Sequence, residues 1–481
     1  MTLDPIQRQS LIHLSTNISI TVIGFLSTVY FARILGPSIL GAYYLFFAYF
    51  SIFNLIVDGG FGNATAKRIS EGREQEAFYS AAAALRLGLL IVTVGLLLIF
   101  RPFLVDLDSA GLFWWLILAV GMNVVFGIAA GGNYGLGKAG VVQVSRLLND
   151  LSRIIVQVLA VVFGFQLAGL AGGFVFGLFI AALFNYRYLE LHFRRFRLFH
   201  LKSLFSFSFW IFLAMSGVLV FTTADVILIG YFMDNADVGV YRVTLNLASL
   251  GVFVALAFQT VLYPRFSLWN EEGKHDLIET SLRRAYTYSL MLAVPFCAGG
   301  WLLGDELLYY LFGEAFSTGT GALFILLSVY VVYVFLYLQM MTLNALNHPK
   351  DSFRVTAVAV VINIALNVLL IPVLGIVGAA LATLVSVALN AILGYFVLGK
   401  YLVVNVEKMP LFHIVVAAGV MSLVVGLLRL GVPAMNLWYL VAMGSIGAVV
   451  YFLLLLKIDR GIRDELKDLV SQMGIFWPGW L

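Results

Sequence analysis

Long apolar runs recur along this chain from near the first residue to near the last, and they constrain its fold more than any other feature. Each run is about 20 residues long, the length that an α-helix needs to cross the hydrocarbon core of a bilayer. Charged residues make up only 11% of the chain, whereas soluble domains carry roughly one quarter. The links between the runs are too short to fold as soluble domains. We therefore predict an all-α, polytopic membrane protein.

The lengths of the runs and their Gly, Pro and charge boundaries predict about 14 transmembrane helices. The predicted spans are 11–33, 39–63, 79–100, 111–134, 141–164, 168–189, 205–231, 238–263, 284–303, 319–345, 353–373, 376–399, 411–430 and 435–456.

The basic residues indicate how these spans are oriented, because Lys and Arg gather in cytoplasmic links. With the amino terminus inside, 23 of the 29 Lys and Arg residues fall in inner links or tails. The remaining six are Arg33, Arg101 and Arg429 in outer links, and Arg86, Arg153 and Arg242 within helices. This asymmetry predicts a multi-pass protein of the plasma or inner membrane with both termini in the cytoplasm.

An internal repeat relates the two halves of the chain. The segment ILGPSILGAYYL resembles FMDNADVGVYRV, with Gly41 and Tyr43 matching Gly239 and Tyr241, and LAGLAGG resembles VLGIVGA. Parallel repeats of this kind are typical of transporters in which two lobes enclose a central cavity and move about it.

The repeat also predicts the domain organisation. We expect two six-helix lobes around the cavity, an N-terminal lobe over 1–200 and a C-terminal lobe over 201–402. Residues 403–481 would add two transmembrane helices and a cytoplasmic tail.

Charged side chains within the predicted spans are the candidate functional residues, because a charge in the bilayer interior needs a partner or a use. Asp58 and Arg86 can meet in the inner half of the membrane. Asp150 and Arg153 lie one turn apart on one helix, with Asn149 beside them. The last pair is Asp225 and Arg242, which can face each other across a short outer turn.

Two interpretations of these charges remain open. In one, the three Asp and three Arg form structural ion pairs that reduce the penalty of burial. In the other, Arg86, Arg153 and Asn149 line a hydrated cavity and bind an anionic substrate, since guanidinium groups suit phosphate. Asp58, Asp150, Asp225 and Arg242 would then serve ion coupling or structural pairing, with a proton or sodium gradient as the energy source.

No catalytic pattern accompanies these charges. The six histidines include no i, i+4 pair that would hold a metal, and no GxxxxGK[ST] motif occurs. The single cysteine, Cys297, excludes a cysteine-based metal site or disulfide within the chain. We therefore expect a transporter, neither an enzyme nor a nucleic-acid-binding protein, without a metal or cofactor.

Three segments carry a resemblance to a known family. TTADVILIGYFMDNADVGVY, NISITVIGFLSTVYFARILGPSILGAYYL and VDGGFGNATAKRISEG resemble polysaccharide and O-antigen flippases of the multidrug/oligosaccharidyl-lipid/polysaccharide exporter superfamily. The resemblance extends over essentially the whole chain. It implies fourteen helices in two lobes, a cationic cavity to which Arg86 and Arg153 would contribute, and a helix-seven Asp motif at Asp225.

The resemblance also implies a function and partners. The substrate would be an oligosaccharide linked to a polyprenyl (pyro)phosphate, moved from the inner to the outer leaflet by alternating access for surface glycan, O-antigen, lipopolysaccharide or glycoprotein assembly. Glycosyltransferases or a glycan polymerase would be its partners, and we expect a monomer in membrane lipid. The alternatives are a cation-coupled multidrug exporter of the same superfamily and, from a different class, a polytopic glycan polymerase.

Overall fold

The computed structural model describes residues 5–431 and 436–472, and within these ranges it contains helices and no β-strand. The α-helices, numbered α1 to α16 in chain order, are Pro5–Asp58, Phe61–Ser70, Gln75–Phe100, Val105–Ser109, Phe113–Gly135, Ala139–Val162, Gln166–Arg187, Leu198–Phe232, Asn235–Ala248, Phe253–Glu271, His275–Leu307, Thr320–Ala345, Pro349–Leu398, Lys408–Leu430, Leu437–Ile458 and Arg460–Gln472. The all-α prediction is confirmed. The predicted outer link before α15 and the end of the tail fall partly outside the described residues.

Two of the longest helices are each interrupted by a glycine in a conformation that other residues rarely adopt. In α1 the break is at Gly36 (φ 74°, ψ 177°), followed by Pro37. In α13 it is at Gly375 (φ 58°, ψ −140°). A Cβ placed on Gly378 would lie 3.1 Å from the backbone nitrogen of Ile371, so the chain doubles back tightly at this break. Both breaks coincide with short links that the sequence predicts.

Eleven helices in the described ranges are long and apolar enough to cross a membrane. Two of these eleven, Ile20–Asp58 and Pro349–Leu398, contain the glycine breaks and so comprise two helical segments each. Helix α6, which carries Arg146, Asp150 and Arg153, is not among the eleven. The chain is a multi-pass membrane protein, and the count of fourteen spans stays a prediction.

The chain divides into two compact units, Met1–Gly239 and Val240–Leu481. The first unit has a core in which Phe46, Phe113, Leu116 and Phe174 are almost fully buried. Helix α8 belongs to this unit, although the repeat assigns it to the second lobe. The lobe boundaries drawn from the repeat describe sequence relatedness and stay a prediction.

The second unit has two cores. One surrounds Tyr286 and Leu338 on α11 and α12. The other core joins α14 and α15 through Ile414 and Tyr451. The hydroxyl of Tyr451 donates a hydrogen bond to the carbonyl oxygen of Met291 on α11 at 2.7 Å. The two C-terminal helices are therefore packed onto the rest of this unit.

Candidate functional site

The site is organised around a helix break inside the first unit. Helix α1 ends at Asp58, Gly59 and Gly60 adopt left-handed conformations (φ 52° and 77°), and α2 begins at Phe61. Glycine is also required sterically, because a Cβ on Gly60 would lie 2.6 Å from the carbonyl oxygen of Ser208 on α8. The first N–H groups of α2 have no partner within the helix. A break of this kind within a membrane is tolerated where it lines a cavity or is buried in protein.

Arg86 reaches this break from α3. It is the twelfth residue of the helix that starts at Gln75, so it lies about 16 Å along the axis from the start of that helix. The predicted span starts later, at residue 79, and therefore places Arg86 nearer to the helix end. Only 7% of its side chain is exposed, and Nη2 donates to Asp58 Oδ1. A Cβ on Gly62 would lie 3.0 Å from Nη2, and a Cβ on Gly127 would lie 2.7 Å from Nη1. The two glycines therefore make room for the guanidinium.

A cavity of about 350 Å³ adjoins the ion pair, lined entirely by residues of the first unit. Its polar side chains are Asp58, Asn63, Arg86, Asn123, Tyr134 and Arg146. Two arginines and one aspartate give its lining one positive charge more than negative. The side chain of Asn123 is fixed by a hydrogen bond to Asn54 Oδ1. This arrangement suits an anionic ligand with hydrogen-bonding groups.

Arg146 is the residue of this cavity that sequence reasoning missed. The positive-inside count groups it with the inner link, whereas it is the eighth residue of α6, about 10 Å along the helix. Its side chain is exposed, and it makes no ion pair with any residue that the structure describes. The signal that identifies it is spacing, because Arg146, Asn149 and Arg153 fall on one face of a helix.

The predicted pair of Asp150 and Arg153 is present on α6, with 3.1 Å between Oδ1 and Nη2 and about a quarter of each side chain exposed. Asn149 packs against α7, where a Cβ on Gly177 would lie 2.5 Å from its Oδ1. Neither Arg153 nor Asn149 is among the residues that line the cavity beside Arg86. The structure thus joins Asp58 to Arg86 and Asp150 to Arg153 in ion pairs. It places Arg86 and Arg146 in the lining of one cavity.

Asp225 and Arg242 belong to different units. Asp225 is 7% exposed on α8, and Arg242 is partly buried on α9. Their predicted pairing across the outer turn stays a prediction.

These features define a class: an all-helical, multi-pass membrane protein with a charged cavity among its helices, as membrane transporters have. A family model described as polysaccharide biosynthesis protein matches residues 6–269, more than half of the chain. A second model, MatE, matches residues 211–369. The chain belongs to the polysaccharide biosynthesis protein family, the flippase family of the multidrug/oligosaccharidyl-lipid/polysaccharide exporter superfamily.

Two relatives from Haloferax volcanii cover most of the chain. The probable flippase AglR is 27% identical over 482 residues, 97% of this chain and 98% of the relative. The probable low-salt glycan biosynthesis flippase Agl15 is 26% identical over 383 residues, 80% of this chain and 81% of the relative. Among solved structures, the lipid II flippase MurJ in an inward closed conformation has a TM-score of 0.79 at 16% identity, over 92% of this chain and 98% of that one. The likeness to MurJ establishes the fold.

Proposed function

We propose that this protein flips a polyprenyl-(pyro)phosphate-linked oligosaccharide from the inner to the outer leaflet for assembly of a surface polysaccharide or glycoprotein. Family membership supports this proposal, as do the names of the two Haloferax relatives. The observation that carries it is the cavity at the helix break, where Arg86 and Arg146 outnumber Asp58. A phosphate on an amphiphilic substrate is the group that such a cavity would bind.

The geometry suggests an order of events. Arg146 is exposed and meets the substrate phosphate first, while the N–H groups at the start of α2 offer further donors. Arg86 is held by Asp58, so the phosphate competes with this carboxylate for the guanidinium. Asp58, which is 29% exposed, is then free to take up a proton or a sodium ion. Exchange of partners at Arg86 would couple substrate binding to an ion gradient during alternating access.

The remaining residues predicted from the sequence have places in this proposal. Arg153 and Asn149 provide a second polar position on α6, further along the face that carries Arg146. Asp150, Asp225 and Arg242 act in structural pairing or ion coupling. The sugar would occupy the cavity while the polyprenyl chain remains in the bilayer. We further propose a monomer in the cell membrane with cytoplasmic termini, working with glycosyltransferases or a glycan polymerase.

Reconstitution tests the proposal. Vesicles containing purified protein and a fluorescent polyprenyl-phosphate oligosaccharide on one leaflet are treated with a membrane-impermeant glycosidase, which reports how much substrate crosses. We expect crossing with the wild-type protein, loss of crossing with Arg86→Gln and strongly reduced crossing with Arg146→Gln. Lys274→Gln, which alters an exposed inner residue paired with Glu272 at 2.8 Å, is the matched control. No crossing by the folded wild-type protein would overturn the proposal.

The match of the MatE model to residues 211–369 favours a second candidate, a cation-coupled multidrug exporter. A cationic drug needs an acidic site, and the excess of arginine in the cavity counts against it. Drug resistance conferred on a sensitive host, with no glycan crossing in vesicles, would support this candidate. A glycan polymerase would instead form new sugar linkages from this protein alone.

A further inference from the structure

A second pocket lies in the first unit, between α2 and the start of α8. It has a volume of about 540 Å³. Its polar lining comes from Arg68, Lys202, Ser203 and Ser206, and Phe199, Phe207 and Ile211 provide its apolar walls. A pocket with cationic and hydroxyl groups on one side and aromatic rings on the other fits an amphiphile with an anionic head.

The cations of this pocket are incompletely neutralised. Lys202 is exposed and makes no ion pair with any residue in the described ranges. Arg68 pairs with Glu71 at 3.1 Å through Nη1, while its Nε is buried without a hydrogen-bond partner. Next to them, Lys67 Nζ lies 4.2 Å from the ring centroid of Phe207. Three cations, Lys67, Arg68 and Lys202, therefore lie together with one carboxylate, that of Glu71. The net positive charge that results is available to an anionic ligand.

The chain leading into α8 shows where the pocket lies with respect to the bilayer. Residues 188–197 form a non-helical link, followed by the first turn of α8. Here Phe193 is 67%, Leu198 is 74% and Phe199 is 65% exposed, and exposed Arg195 is interleaved with them. Large apolar side chains alternating with cations are typical of the interface between headgroups and acyl chains. This pattern is the one expected of a pocket that opens at headgroup level.

The link is also held in place, so the pocket is built from fixed parts. His200 is buried, with Nε2 3.0 Å from Glu74 Oε2 and its ring 4.7 Å from that of Phe78. Arg194 Nε lies 2.9 Å from Glu76 Oε2. These contacts join the link and the first turn of α8 to the residues at the start of α3.

We propose that this pocket, formed by Arg68, Lys202, Ser203, Phe199 and Phe207, binds the phosphate headgroup of an anionic phospholipid of the bilayer. The lipid phosphate contacts Lys202 and Arg68, and its glycerol and acyl groups lie against the two phenylalanines. This site is separate from the cavity at Arg86 and does not depend on the transported substrate.

Native mass spectrometry of the full-length protein tests the proposal with added phosphatidylglycerol or phosphatidylcholine of matched acyl chains. We expect the wild-type protein to retain phosphatidylglycerol preferentially. Lys202→Gln should weaken retention about fivefold, and Arg68→Gln with Lys202→Gln by about 25-fold, because each surface cation contributes about a factor of five to binding an anionic lipid. Lys274→Gln should leave retention unchanged.

Other results would overturn the proposal. Equal retention of both lipids, or unchanged phosphatidylglycerol retention in Lys202→Gln, would remove the pocket as an anionic-lipid site. Displacement of the lipid by excess glycerol phosphate, which has the head without acyl chains, would indicate a soluble-phosphate site instead. If the double variant fails to fold, the single Lys202→Gln variant decides, since Lys202 is exposed and its loss leaves no buried group unpaired.

Discussion

The guanidinium of Arg86 donates to the carboxylate of Asp58, which lies 28 residues earlier in the chain, at the point where α1 ends. The two partners differ in exposure, 7% for the Arg86 side chain and 29% for that of Asp58. Both side chains line the cavity, and Asp58 is the more accessible of the two. The pair provides a positive group that a substrate can reach by displacing a carboxylate.

The space around Arg86 predicts the effect of a single methyl group. In Gly127→Ala the new Cβ would lie 2.7 Å from Nη1, so the guanidinium must move away from the cavity lining. We expect transport in vesicles to fall about tenfold or more, since small displacements of a binding group have large effects. Gly121→Ala, also on α5, is the control, because nothing would lie within 4 Å of its Cβ and it does not line the cavity. Equal transport by both variants would contradict the role assigned to Arg86.

Removing Arg86 alone, and then together with the charge of Asp58, distinguishes stability from function. Arg86→Gln leaves Asp58 partly buried without its cation, and we expect it to destabilise the protein by about 1–3 kcal/mol. The double variant Asp58→Asn with Arg86→Gln should regain most of this stability, since no charge is left unpaired. Transport should remain lost in the double variant. Thermal unfolding in detergent and the vesicle assay measure the two effects, and recovery of transport in the double variant would make the pair purely structural.

The sequence predicts this pair because it places a lone Asp and a lone Arg at similar depth in neighbouring spans, where burial favours their meeting. It cannot predict Gly127, whose role depends on how closely α5 approaches α3. It also misplaces Arg146, since a residue near the end of a span has the same local pattern whether it anchors the helix or faces a cavity. The helix end at Asp58 is indicated by the glycines that follow, but the left-handed turn that restarts the helix depends on the contact with α8.

The glycines that reveal the internal repeat are also in close contact. A Cβ on Gly41 would overlap the carbonyl of Asn235, and a Cβ on Gly239 would lie 3.1 Å from the backbone nitrogen of Gly41. Gly41→Ala should therefore destabilise the protein by about 3 kcal/mol, because backbone atoms cannot move aside as a side chain can. Gly24→Ala, also in α1 and with nothing within 4 Å, should unfold at the wild-type temperature. A Gly41→Ala variant as stable as Gly24→Ala would contradict this packing.

The tail helix α16 predicts a separate effect on stability in the second unit. Asp459 accepts a hydrogen bond from the backbone N–H of Ile462 at 3.0 Å through Oδ1, and its Oδ2 lies 2.8 Å from His413 Nδ1. Asp459→Ala removes the cap of α16 and should destabilise it by about 1 kcal/mol. We expect faster proteolytic cleavage within residues 460–472.

Asp464→Ala is the matched control for the tail, because that carboxylate is 68% exposed and its one ion pair within the described part of the chain is with Arg463 on the same helix, a contact of little energetic value. Its cleavage rate should equal that of the wild-type protein. If both variants are cleaved at the same rate, the cap at Asp459 does not hold the tail helix.

Arg146 and Arg153 lie on one face of α6, and their environments predict different consequences for the same substitution. Arg146 lines the cavity and has no carboxylate partner among the described residues, so Arg146→Gln should lower transport about tenfold and leave stability unchanged. Arg153 is paired with Asp150 outside the cavity lining, so Arg153→Gln should lower transport less. Side-by-side measurement of initial flipping rates, with melting temperatures as the folding control, compares them. A larger loss in Arg153→Gln would favour the prediction from sequence, in which Arg153 rather than Arg146 binds the anionic substrate beside Arg86.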